Sequence, residues 1–167
     1  MKRFSVLFFA LFLSLTSPGQ TLKFGHIDSQ ALLTSMPERK KIEEDLNKYA
    51  QQLDGQHKAM KTEYENKVRD YQAQETLMTD PIKKTKLQEI DDLANRIGDF
   101  QMTAQESLQK KESELLNPIL EKAKKAIADV AKENGYSYIF DTSVGVVLYH
   151  PQTDDILALV KKKLGIN

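Results

Sequence analysis

The sequence predicts an α+β fold, in which a small β body carries a long antiparallel helical coiled-coil hairpin. Three observations predict it. The stretch from Pro37 to Asn134 is almost entirely helix-forming and charged, with Gly55 and Gly98 its only glycines and Pro37, Pro81 and Pro118 its only prolines. Strand-like segments flank it at both ends. Its apolar residues recur at heptad spacing and break once, at Leu77 to Pro81.

The first nineteen residues read as an export signal. Lys2 and Arg3 form a basic end, Phe4 to Leu15 an apolar core, and Ser17 and Gly19 the small residues of a cleavage site after Gly19. About a dozen apolar residues are too few to span a bilayer, which takes roughly twenty. With no cysteine, the chain has neither a lipid-anchored cysteine nor a disulfide or thiolate metal site. The expected location is the periplasm, with any membrane association peripheral. The expected layout is a signal at 1–19, a body built from 20–36 and 135–167, and an arm at 37–134.

The full chain carries 24 basic and 24 acidic residues; removing Lys2 and Arg3 leaves 22 against 24, a net charge near −2. Nucleic-acid binding draws on an excess of positive charge to displace counterions, and none is present globally. The run Lys161 to Lys163 and the cluster Lys122, Lys124 and Lys125 read as solvated helix faces.

Each element has a local signal. Leu22 to Ile27 alternates as a strand, with Leu22, Phe24 and His26 on one face. Asp28 or Ser29 then caps a short helix through Leu33. Ser35 and Glu38 have capping-box spacing, with Pro37 in the first turn of the long helix that follows. Its seam runs Ile42, Leu46, Tyr49, Leu53, Met60, Tyr64, Val68, Tyr71 and Met78, a heptad pattern with one stutter near Tyr64. At the hairpin tip, Asp80 is placed to cap the return helix and Pro81 to open it. The return seam runs Ile82, Leu87, Ile90, Leu93, Ile97, Phe100, Ala104, Leu108, Leu115, Ile119, Ala123, Ile127 and Val130, and Asn134–Gly135 ends it. Pro118 lies inside this helix and predicts a bend near Leu116 to Pro118. Next come a strand at Ser137 to Asp141, a turn through Thr142 to Gly145, and a second strand at Val146 to Tyr149. A final helix follows over Asp155 to Leu164, capped by Thr153 or Asp154.

Large apolar residues make up about one in four of the arm. A two-helix seam takes about two in seven, and a helix in a thick bundle about three in seven. The supply covers the hairpin's own seam and little else, so the arm stands free, about 60–75 Å long at 1.5 Å per residue. The body has the opposite problem. Three short strands and two short helices make a poor core with unpaired edges, which predicts self-association around a symmetry axis. Phe24, Ile27, Ile139, Phe140, Val146 and Leu148 are the candidate interface residues.

No arrangement for catalysis stands out. The chain has no G-x-S-x-G, no phosphate-binding glycine loop and no His-x-x-x-His, and His26, His57 and His150 fall in three separate elements. No enzyme activity, cofactor or metal is expected. Methionine and tyrosine suit promiscuous apolar contact, and Tyr64, Tyr71, Leu77, Met78 and Met102 are the candidate contact residues for a bound chain. Leu77 and Met78 lie at the tip, and Met102 lies off the seam.

These features in this order resemble the OmpH/Skp family of periplasmic chaperones. The matching residues are the signal, Lys23-Phe-Gly-His-Ile-Asp28, Leu32 and Met36-Pro-Glu38. They continue through Asn117-Pro-Ile119, Ala126-Ile-Ala-Asp-Val-Ala131 and Asn134-Gly-Tyr-Ser-Tyr-Ile-Phe-Asp141, then Val146 to Tyr149 and Asp154-Asp-Ile156 to Leu164. The resemblance implies a homotrimer with an intersubunit β-barrel and helical tentacles. It also implies an ATP-independent holdase that keeps unfolded outer-membrane proteins soluble before membrane insertion. The near-neutral charge departs from strongly basic members of that family. A coiled-coil spacer of the cell envelope, gripping one folded partner, is the alternative function that the helical arm allows.

Overall fold

The computed structural model of the protein describes residues 22–166. The expected signal and its cleavage site lie outside them. The described elements are β1 (Phe24–Ile27), α1 (Ser29–Ser35), α2 (Glu38–Gln74), a 3-10 turn (Glu75–Leu77), α3 (Asp80–Glu133), β2 (Tyr138–Asp141), a second 3-10 turn (Gln152–Asp154) and α4 (Leu157–Leu164). Among the described residues no helix is long and apolar enough to cross a membrane.

β1 and β2 pair in parallel, Phe24 against Tyr138 through Ile27 against Asp141. Parallel strands need a crossover connection, commonly a helix. Here the whole hairpin is the crossover. The expectation of a β-turn-β unit at the C-terminal end is therefore corrected. Ser137 to Asp141 supplies a strand, but its partner is β1, and Val146 to Tyr149 has no strand pairing. A strand exists only through ladder hydrogen bonds, and a single chain provides none for that segment. On its other side β1 meets Asp155 in an isolated bridge, where the Ile156 amide donates to the His26 carbonyl at 3.0 Å.

The core lies under this small sheet. Ile27, Leu32, Met36, Ile42, Ile119, Ala123, Ala126, Val130, Ile156 and Val160 are buried together. Both ends of the chain and the lower part of α3 thus meet in one cluster. On α3 the buried positions step by four, three and four, which places them on one helix face. Gly25 is required by close approach, since a Cβ there would lie 2.9 Å from the Ile139 and Tyr136 side chains. Lys23 ties the start of β1 to the end of α3: its Nζ donates to the Asn134 carbonyl at 2.9 Å and sits 4.0 Å from the Tyr136 ring centroid.

Several local signals form as read. Asp28 Oδ1 accepts from the Ala31 amide at 2.8 Å and caps α1. Gly135, at φ 70°, ends α3 with the Tyr136 amide bonded to the Ala131 carbonyl at 2.9 Å. Others differ. The Ser35–Glu38 capping box does not form, because the Ser35 hydroxyl donates to the Leu32 carbonyl at 2.7 Å and Glu38 turns to Lys122 on α3. A cross-helix ion pair outcompetes the local cap. At the tip Thr79, not Asp80, holds the N-cap position of α3. The last helix starts at Leu157, two residues later than read, with Ile156 at its N-cap position and Asp155 Oδ1 accepting from the Leu157 amide at 2.8 Å just ahead of it. Helix α3 is continuous through Pro118. Pro118 and Glu114, whose carbonyl loses its intrahelical donor, are both exposed, so water can satisfy that group.

One polar cluster fastens the sheet to α1. Ser29 donates through its amide to Asp141 Oδ1 at 3.2 Å and through its hydroxyl to Oδ2, while the Ser143 amide adds a bond at 2.9 Å. Burial alone would push the Asp141 carboxyl up, but the donors from Ser29 and Ser143 outweigh it and hold the carboxyl below its ordinary range.

Two predictions follow from this packing. Ile156→Ala, at a position 0% exposed, should lower the unfolding free energy by about 3 kcal/mol in urea titration. Because Asp141 is more acidic folded than unfolded, its contribution is complete above the unfolded value of about 3.9 and is lost as pH falls through the folded value. The urea midpoint should therefore drop on acidification below about pH 4. The drop should be smaller in Asp141→Asn, measured at pH 6 and pH 3.

Candidate functional site

Two surfaces on the molecule have no role in its own core. The first is the outer face of the sheet. Phe24 stacks on Tyr138 with centroids 5.8 Å apart and lies 6.1 Å from Phe140, forming an aromatic row across β1 and β2. All three rings are about half exposed. The adjoining segment continues the patch, with Val146 75%, Leu148 96% and Tyr149 84% exposed. Among the described residues none from Val146 to His150 makes a backbone hydrogen bond to another backbone group. A contiguous apolar face beside unpaired backbone is the signature of a surface meant to be covered.

The candidate interface residues divide on this point. Phe24, Phe140, Val146 and Leu148 lie on the exposed face. Ile27 is buried in the protomer's own core, and Ile139 packs against that core from the partly buried side. Strand alternation put both sets in view but could not say which face the helices cover.

The second surface is the arm. Helix α2 has 37 residues and α3 has 54, about 55 and 80 Å at 1.5 Å per residue. The excess of α3 is the part that descends into the body core. Between the helices only Ile42 at the base and Leu93 midway are fully buried. Tyr49, Leu53, Met60, Tyr64, Val68 and Tyr71 are half-buried in the seam. Polar links cross it at intervals. Gln101's amide nitrogen lies 2.9 Å from His57 Nε2, and His57 stacks on Phe100. Nearer the tip, Lys67 Nζ donates to Glu89 Oε2 at 3.0 Å. That hydrogen bond raises the Lys67 ammonium and lowers the Glu89 carboxyl from their ordinary acidities.

The tip departs from the expected seam. Ile82 and Leu87 are each 49% exposed and do not pack into the seam as the spacing predicts. Leu77 is 85% and Met102 61% exposed, while Met78 and Tyr71 are half-buried around a small tip cleft. The Tyr71 hydroxyl donates to Glu75 at 3.3 Å. Of the candidate contact residues, Leu77 and Met102 face solvent, and Tyr64, Tyr71 and Met78 are shared with the hairpin.

Residues 23–164 match the family described as Outer membrane protein (OmpH-like). The chain belongs to the OmpH-like family. Its fold matches a crystal structure from Caulobacter crescentus CB15, a protein proposed to be an outer membrane chaperone (OmpH-like). The match has a TM-score of 0.74 at 18% identity, over 87% of this chain and 86% of that one. No curated protein matches the chain. OmpH-like membership agrees with the resemblance read from the order of the segments, and the long helices with a two-stranded sheet are the shared architecture.

One grouping in this OmpH-like chain is not visible in its sequence. His26, buried on β1, and His150, beyond Val146 to Tyr149, meet with ring centroids 3.9 Å apart. They line a cleft of about 300 Å³ with Phe24, Phe140, Tyr149 and Asp154. The β1–Asp155 bridge and the contact of His26 Nε2 with the Pro151 carbonyl bring these segments together, and no spacing rule reports them.

Because Leu93 is the sole fully buried side chain in the middle of the arm, Leu93→Ala should loosen the distal hairpin selectively. Hydrogen exchange should quicken across roughly residues 55–100, while Ile119 to Val130 remain protected.

Proposed function

We propose that this OmpH-like protein is a periplasmic holdase chaperone. Copies of the chain associate through the aromatic sheet face as a homotrimer, and the arms of the assembly surround unfolded outer-membrane proteins. Clients stay soluble without ATP until they insert into the membrane. The observation that carries this reading is the uncovered face made by Phe24, Tyr138, Phe140 and the unpaired Val146 to Tyr149 segment. A strand from each neighbour pairing with that segment would give the expected intersubunit barrel and remove its edges. Association there places the arms around a common space. The description of the Caulobacter crescentus protein as a chaperone supports the same reading.

The arm suits loose retention. Its apolar residues are largely taken up by its own seam, and Leu77, Ile82, Leu87 and Met102 remain scattered on its surface. Scattered weak contacts on flexible arms hold a chain without selecting its sequence.

In the test, a urea-unfolded outer-membrane β-barrel protein is diluted into buffer with the protein, and light scattering is followed without ATP. Scattering should be suppressed, saturating at one client per oligomer. The triple variant Leu77→Ser, Met78→Ser, Met102→Ser should hold client several-fold more weakly and still assemble. Unchanged scattering across several clients rejects the holdase reading in favour of a spacer with a folded partner.

A further inference from the structure

Both imidazoles of the cleft beside β1 are free of the roles described so far. His26 is 4% exposed, and its Nε2 lies 2.9 Å from the Pro151 carbonyl oxygen. A carbonyl only accepts, so Nε2 carries the proton and Nδ1 bears the lone pair. That Nδ1 is buried and has no hydrogen-bond partner among the described residues. An unsatisfied buried acceptor is costly, and native structures seldom keep one without a reason.

The geometry points to a transition-metal site with His26 Nδ1 and the His150 ring as its protein ligands. Metal-binding histidines characteristically donate their second ring N–H to a carbonyl or carboxylate, which fixes the tautomer and aims the free nitrogen. The His26–Pro151 bond does this. Two imidazoles on one tetrahedral ion have centroids roughly 5 Å apart, given metal–nitrogen bonds of about 2 Å. At 3.9 Å the His150 ring lies against the face of His26, so it has to leave that contact and turn a ring nitrogen toward the in-plane lone pair of His26 Nδ1, for which its exposed position leaves room.

The donor set defines the ion. No cluster of three ligating side chains is assembled among the described residues, so water completes the coordination, as in an open site. Nitrogen donors select zinc, nickel or copper, with copper bound tightest, and disfavour calcium and magnesium. Bound metal would fasten His150 to β1, at the end of the Val146 to Tyr149 segment that has no backbone pairing among the described residues. The inference is independent of client holding, and it runs against the sequence expectation that these histidines are too far apart to cooperate.

Zinc titrated by calorimetry into the untagged protein should bind one ion per protomer, and the thermal midpoint should rise with zinc concentration. The chain has three histidines, which supplies an internal control. His150→Ala, at an exposed position, should weaken zinc binding at least tenfold and abolish the midpoint shift. His57→Ala, on the arm, should change neither. His26→Gln, compared at matched circular dichroism, should behave as His150→Ala. Absence of saturable binding, binding indifferent to His150→Ala, or binding lost in His57→Ala would each overturn the site.

Discussion

Parallel pairing of Phe24–Ile27 with Tyr138–Asp141 joins two segments more than a hundred residues apart, and every other long-range feature of the body is built on it. Closing a flexible loop of that length costs about 4 kcal/mol beyond a constant term. The hairpin removes much of that penalty by folding locally and returning its end beside its start. The Lys122–Glu38 ion pair and the Ile42–Ile119 layer of the core then hold that base together. Once β1 and β2 pair, Ile27 is set against Ile156 and Val160, and the C-terminal helix has a surface to cover.

The same constraint separates the molecule into regions of different stability. The body concentrates its fully buried side chains where the two chain ends meet α3. The arm has a single narrow seam, buried outright only at Leu93 between base and tip, with hydrogen bonds and ion pairs spaced between half-buried tyrosines and methionines. Exposed ion pairs contribute little each, so rigidity falls along the arm toward the tip. A firm body thus carries a compliant arm, and the body keeps an exposed apolar face.

Local chemistry was legible wherever one short segment decides the outcome. Asp28, Gly135 and the heptad seam below the tip all act within a turn or two of themselves and formed as read. The capping box at Ser35 and Glu38 failed because Lys122, eighty-four residues away, offers Glu38 a stronger partner. Ile82 and Leu87 had the right spacing but stay half exposed near the tip. Val146 to Tyr149 had a strand's pattern but no neighbour within the chain. In the first and last of these cases the local signal was present and a distant residue, or the lack of one, overrode it.

By itself the sequence determined the class of the molecule: a charged helical hairpin between two strand-bearing flanks. Helix periodicity and turn chemistry are short-range properties, so composition and spacing suffice to state them. Tertiary structure alone decided which strands pair and in which direction, which strand face is core and which is bare, and that His26 and His150 touch. Those outcomes depend on contacts between residues more than a hundred positions apart. No local periodicity encodes such contacts; they follow from how the hairpin brings its two ends together.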